Sequence, residues 1–166
     1  MHELQLGHGL VAIVSPEDAD LAVMAWHAAK RGRTTYAERT FRRSDGRCKT
    51  EGLHRVIAAR MGLEITGLLV DHINGDGLDC RRENLRIATR AQNQHNRRRS
   101  VANTSGYKGV FFDKRAGRWR AAISLDGRLR YLGSFTSAAQ AGAAYDTAAR
   151  TLHGEFAHPA PNEVTT

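Results

Sequence analysis

One stretch of this 166-residue chain restricts what it can fold into more than any other. Residues 68–96 read in the order strand, loop, strand, helix. Leu68-Leu69-Val70 is a short apolar run of strand type. Ile73 to Glu83 is crowded with Gly, Asn and Asp, the residues of turns. Leu85-Arg86-Ile87-Ala88 is a second short strand, and Thr89 can cap a helix running through about Arg98.

The same stretch carries chemically capable side chains. Hydrolysis of a phosphodiester needs a base to activate water, a cation to neutralise charge on the phosphate and the leaving oxygen, and positive groups to hold the strand. Asp71 is a hard oxygen ligand suited to Mg²⁺ or Mn²⁺. His72, at a strand end, can act as the base at neutral pH. The helix a few residues on can supply a second oxygen ligand from Asn93. His95 is its rival as a ligand. Two residues along a helix are about 200° apart, so both cannot face one metal, and Asn93 is the choice. Asn96 shares its side. Each feature alone is weak: an Asp-His pair usually decorates a surface, and an Asn-rich loop is usually a turn. Turn chemistry does not, however, require the whole set in this order. Cys80, in the loop, reads as a free buried thiol.

The residues Asp71-His72-Ile73-Asn74-Gly75-Asp76, Arg82-Glu83-Asn84-Leu85, Ala88-Thr89-Arg90 and Asn93-Gln94-His95-Asn96 resemble the HNH endonuclease family, in the variant where Asn replaces the last His. Leu53-His54-Arg55 matches more weakly. The resemblance implies a ββα-metal core over about 68–98, in which a two-stranded ribbon and a helix clasp one divalent ion, Mg²⁺ or Mn²⁺, with no small-molecule cofactor. It makes His72 the general base, Asp71 and Asn93 the metal ligands, and Asn84 the residue that locks the loop orienting His72.

Upstream, residues 10–14 read as a buried strand. Ser15-Pro16 opens a helix expected to run to about Lys30 and close at Gly32, with Glu17, Asp18 and Asp20 placed where the helix dipole favours acids. Residues 33–52 read as irregular or weakly paired strand. Leu53, Val56, Ile57 and Met61 space a second helix, which Gly62 ends.

Downstream, Arg97-Arg98-Arg99 precedes a stretch of linker composition, and the boundary is placed at 100–104. Residues 105–158 then form a second domain, with 159–166 a tail. Tyr107 to Phe112 is a strand. Arg118 to Leu125 alternates apolar and polar residues with period two. Asp126-Gly127 signals a tight hairpin into a strand from Arg128 to Gly133. A tight turn there puts Arg130 on the face of Ile123. Ser137 and Gln140 form a capping box for a helix rich in small residues that Gly154 ends. The result is a three-stranded antiparallel sheet covered by one helix, its other face open and carrying Arg118 and Arg120. Gly106-Tyr107-Lys108-Gly109-Val110, Trp119-x-Ala121, Leu132-Gly133-x-Phe135 and Ala144-Tyr145-Asp146-x-Ala148-Ala149 resemble the AP2 DNA-binding domain. The resemblance implies a sheet laid into the major groove. Phe111, Asp113, Ala122, Ser124 and Leu129 stand where plant members place base-reading residues, so no recognition sequence carries over. Lys108, Arg118, Arg120 and Tyr131 are the expected DNA contacts here, with Arg90, Arg97 and Arg98 as further DNA-binding residues.

Composition agrees. The formal charge is +8, and 21 of the 25 basic residues are Arg, the better residue for bidentate phosphate contact. That charge suits nucleic acid or an anionic membrane surface, or simply a solvated surface. No apolar run reaches the roughly 18–20 residues of a membrane span, and the N-terminus lacks the basic and apolar regions of a signal peptide. Two cysteines, far apart, argue for a reducing cytoplasm, and the resemblance to homing-type HNH endonucleases implies that of a bacterium or a phage-infected host. The expectation is therefore an α+β, monomeric, metal-dependent endonuclease acting on double-stranded DNA, with residues 1–99 as nuclease domain. A non-catalytic DNA-binding regulator is the alternative, and an RNA-binding protein a third.

Overall fold

The computed structural model describes residues 1–97, 102–125 and 127–157. The chain divides into two units, Met1–Arg90 and Ala91–Thr166.

In the first unit, β1 (His2–Gln5) and β2 (Val11–Val14) pair antiparallel, with His2 opposite Val14. Their alternation sends Leu4, Ala12 and Val14 inward. The helix expected from Ser15 to Lys30 is not formed. Pro16–Val23 makes a 3-10 helix instead, and His27–Arg31 is a strand, β3. Two side chains explain the break. Trp26 turns back and donates its indole N–H to the Leu21 carbonyl at 2.9 Å. Asp18, expected in the first turn of that helix, is fully buried. Its carboxylate accepts from Arg82 Nε at 2.7 Å and Nη2 at 3.0 Å, and Arg60 approaches to 3.5 Å. A buried carboxylate needs such partners, and an α-helix with Asp18 facing solvent would forfeit them.

Residues 33–52 are also more ordered than their composition promises. β4 (Thr34–Arg42) and β5 (Cys48–Gly52) join β3 in an antiparallel sheet of order β3-β4-β5. Its inner end is fixed by Ala37, fully buried, and its outer part by cross-strand pairs such as Arg39 with Glu51. Helix α1 (Leu53–Arg60) follows directly and buries Leu53, Ile57 and Ala58. These pack with Leu4, Val14, Leu21 and Trp26 into one core.

β6 (Leu69–His72) and β7 (Leu85–Ala88) form a two-stranded antiparallel ribbon, with Asp71 opposite Arg86 and His72 opposite Leu85. The loop between them is tied to β2: Ile13 N–H donates to the Leu78 carbonyl and Cys80 N–H to the Ile13 carbonyl, both at 2.8 Å. Gly77 lets β4 come close, because a Cβ there would lie 2.4 Å from the Thr35 carbonyl oxygen. Helix α2 (Arg90–His95) ends before the expected Arg98, which lies outside the described residues, as does Asp126 of the expected hairpin turn.

In the second unit, β8 (Val110–Asp113), β9 (Arg118–Leu125) and β10 (Arg128–Phe135) form an antiparallel sheet of order β10-β9-β8. Helix α3 (Ala138–His153) packs on it. Val110, Ala121 and Ile123 face Ala141, Tyr145 and Ala149. Gly109 has φ +67°, and a Cβ on it would overlap the Tyr145 ring at 2.2 Å, so only glycine lets α3 lie this close. Ser137 Oγ accepts from Gln140 N–H at 3.2 Å, half of a capping box. The Gln140 side chain takes a bond from Thr136 instead of closing the other half. Arg130 lies opposite Ile123, on the helix side of the sheet.

Candidate active site

Asp71 and His72 end β6 with 6% and 4% of their surface exposed. Asn84, 6% exposed, organises the loop that begins after them. Its Oδ1 accepts from Asn74 N–H at 3.0 Å, and its Nδ2 donates to Asn74 Oδ1 at 3.1 Å and to the Asp79 carbonyl at 2.7 Å. Its own carbonyl accepts from Ile73 N–H at 2.9 Å. Asn74 Nδ2 donates to Asp79 Oδ2 at 2.9 Å, and Arg81 grips the same carboxylate with bonds of 2.8 and 2.7 Å. The Arg81 guanidinium holds the Asp79 carboxyl below its ordinary range. One amide thus spans the loop from both ends, and the residue after His72 has no freedom to drift.

The His72 ring sits in a cluster of aromatic neighbours. The His54 ring is 5.1 Å away and the Tyr36 ring 5.8 Å, with His54 and Tyr36 5.4 Å from each other. On another side Cys80 Sγ is 3.7 Å from His72 Nε2. Cys80 is a free, fully buried thiol, and burial pushes its pKa up to about 12, so it stays protonated at neutral pH. Burial likewise lowers His72 to about 4. His54 falls to about 3, first through burial and then through the neighbouring His72 and Arg55. Its Nδ1 is buried and has no hydrogen-bond partner. Both rings are therefore neutral at pH 7, the form in which an imidazole can accept a proton.

These shifts carry a stability consequence. The unfolded chain protonates each ring near 6.5, whereas the folded chain resists until about 4 and about 3. Below 6.5 the unfolded state binds more protons, so stability is full above that pH and drains away as pH falls toward 4. We expect each ring to cost on the order of 2 kcal/mol at pH 4.5 relative to pH 7.5. His54→Gln should flatten this dependence in urea titrations. Parallel curves for both proteins between pH 7.5 and 4.5 would refute it.

Asp71 lies against Arg86, whose Nε and Nη2 donate to Oδ2 at 3.0 and 2.9 Å. The Asp71 carboxylate is a hard oxygen donor of the kind Mg²⁺ or Mn²⁺ takes, and in the free protein Arg86 occupies its Oδ2. Among the described residues no three His, Cys, Asp or Glu side chains gather as a metal cluster. Asn93 lies half-buried on α2 in the second unit. The rival His95 is stacked on His153, centroids 3.7 Å apart. Asn96 is 4% exposed.

Among the expected DNA contacts, Arg90 and Arg97 are exposed, and Arg98 lies outside the described residues. Lys108 is half-buried. Its Nζ donates to the His95 carbonyl at 2.6 Å, and burial first, then Arg97, lowers it to about 8. Arg118 and Tyr131 are exposed on the sheet, while Arg120 pairs with Asp113 at 2.7 Å and lies 5.9 Å from the Tyr131 ring. Sequence reasoning missed Tyr36 and Arg86. Nothing local marks Tyr36, because its place beside His72 depends on β4 being a strand. Arg86 is legible only once the register of β6 with β7 is known.

The ribbon that ends in Asp-His and the Asn-held loop that closes it lie within a stretch that matches a known family. Residues 51–95 match the model of the HNH endonuclease family. Protein 3.8 of Escherichia phage T7 is 34% identical over 91 residues, covering 55% of this chain and 74% of that protein. Residues 51–95 therefore form an HNH endonuclease family domain, and the chain is a relative of that phage protein. No solved structure matches it. No helix among the described residues is long and apolar enough to cross a membrane.

Proposed function

We propose that the protein is a metal-dependent endonuclease of double-stranded DNA, with His72 as general base and Asp71 and Asn93 as the protein ligands of one Mg²⁺ or Mn²⁺. The observation that carries this reading is the buried His72 ring at the end of a strand, next in the chain to the buried Asp71 carboxylate and followed by a loop that the Asn84 hydrogen bonds hold. The ion, when bound, would offset charge on the phosphate and the leaving 3′ oxygen. His72 takes a proton from water as the water oxygen bonds to phosphorus and the P–O3′ bond breaks, and the departing O3′ takes a proton from solvent water. The products carry 5′-phosphate and 3′-hydroxyl ends. Asn84 contributes by holding the loop, not by touching the phosphate.

The division of labour belongs to the same proposal. Residues 1–99 cut, and residues 105–158, with their AP2 resemblance, hold DNA through Arg118, Arg120 and Tyr131. Arg90, Arg97 and Arg98 add phosphate contacts. Lys108 enters the same list, although its ammonium is engaged by the His95 carbonyl in the free protein. A monomer has one such site and nicks a single strand. Incubation with supercoiled plasmid tests the reading. We expect nicked circles with Mg²⁺ or Mn²⁺ and none with EDTA. Duplex binding without cutting, on a genomic library as well as a plasmid, would leave the non-catalytic regulator as the better description.

A further inference from the structure

The outer half of the β4–β5 ribbon has no part in the site or in the core. Residues 40–50 are all exposed. They carry Arg42, Arg43, Arg47 and Lys49 against one carboxylate, Asp45. That carboxylate neutralises little: it lies 3.9 Å from Arg43 with both groups well exposed. Among the described residues, Arg42 and Arg47 pair with no carboxylate. Lys49 shares Glu51 with Arg39. No residue of this arm belongs to either hydrophobic core, so the chain gains no core by extending it.

We propose that this ribbon is a second DNA contact, a two-stranded arm that enters the major groove beside the scissile phosphate; the proposal rests on the endonuclease reading. Three observations support it. The first is charge: four basic groups at the end of a narrow arm fit a polyanion and repel a basic or apolar partner. The second is shape and stiffness. A two-stranded ribbon fits the major groove. This one is held open to solvent by its own cross-strand contacts: the Thr40 and Thr50 hydroxyls meet at 2.8 Å, Arg39 pairs with Glu51, and Arg39 and Lys49 lie 5.0 and 5.9 Å from the Phe41 ring. The third is where it starts. Tyr36, on the same strand, is 5.8 Å from the His72 ring. From Tyr36 to Arg42 a strand advances about 20 Å, which is about six base pairs along a duplex. An arm rooted at the base and reaching that far grips DNA to one side of the cut.

The test uses the full-length protein in EDTA and a labelled 40-base-pair duplex, with dissociation constants measured over a range of KCl. Two variants remove the arm's charge in different ways. One combines Arg42→Ser, Arg43→Ser, Arg47→Ser and Lys49→Ser. The other replaces residues 42–48 by Asn-Gly, a two-residue turn that keeps Phe41 opposite Lys49. In the first variant the slope of log Kd against log salt should fall by about 3, with binding at 150 mM KCl weakened by about tenfold or more. The second should lose somewhat less, since Lys49 remains. A duplex whose major groove is filled with glucosylated hydroxymethylcytosine should erase the difference between wild type and variants. A difference that persists there would overturn the groove assignment. Unchanged slope and affinity in both variants, each melting like wild type, would overturn the arm as a DNA contact. Loss of binding to phosphatidylserine vesicles with duplex binding intact would do the same and make it a membrane contact. If wild type does not hold the duplex even at low salt, the endonuclease reading itself falls.

Discussion

Replacing His72 by alanine is expected to lower the rate of metal-dependent nicking by a factor of about 10²–10⁴, the usual contribution of a positioned general base, while leaving duplex affinity within about twofold of wild type. The reason is geometric. His72 ends β6, packed among His54, Tyr36 and Cys80, where the proposed mechanism places the base. A protein that keeps its melting temperature and its affinity but loses cutting would place the proton transfer at this ring. Cutting at wild-type rate would remove His72 from the mechanism. Wild-type Mg²⁺ or Mn²⁺ binding by the variant, measured calorimetrically, would separate loss of the base from loss of the ion.

The second large effect is structural. Asp18→Ala is expected to destabilise the first unit by about 3 kcal/mol, because one partner of a buried ion pair leaves the other uncompensated. Arg82 keeps about a third of its side chain in solvent, which puts the figure at the low end for such pairs. Asp20, 62% exposed and also paired with Arg60, is the control: Asp20→Ala should cost far less than Asp18→Ala. Urea denaturation at pH 7.5 reads both. Equal costs would mean that the Asp18 pair is no better than a surface contact. Cleavage should weaken in Asp18→Ala as well. Arg82 leads directly into Asn84 through a 3-10 turn, and Asn84 holds the loop.

Where the sequence misled, the cause is long-range pairing. The acidic run after Pro16 is what a helix start looks like. It becomes a 3-10 helix because Arg82 and Arg60, remote in sequence, draw Asp18 inward. Residues 33–52 have no alternation to announce strands, since much of their surface is exposed on both faces. Only pairing with β3 and the burial of Ala37 make them a sheet. Exposed arms of this kind are hard to read, because periodicity arises from having an inside.

What the sequence by itself determined is everything whose cause is local. The Gly-Asn-Asp loop between two apolar runs, α1 with its apolar spacing, the alternation of β9 and the small-residue helix α3 all stand in the chain as patterns with near neighbours as their reason. The order Asp71, His72, Asn84, Asn93 is likewise a matter of spacing. Tertiary structure decided the environments of those residues. Whether His72 is neutral depends on burial beside His54, Tyr36 and Cys80, brought together from three separate segments. Whether Asp71 faces a cation depends on the register that sets Arg86 opposite it. Desolvation and cross-strand register are sums over contacts distant in sequence, and only the folded chain carries them out.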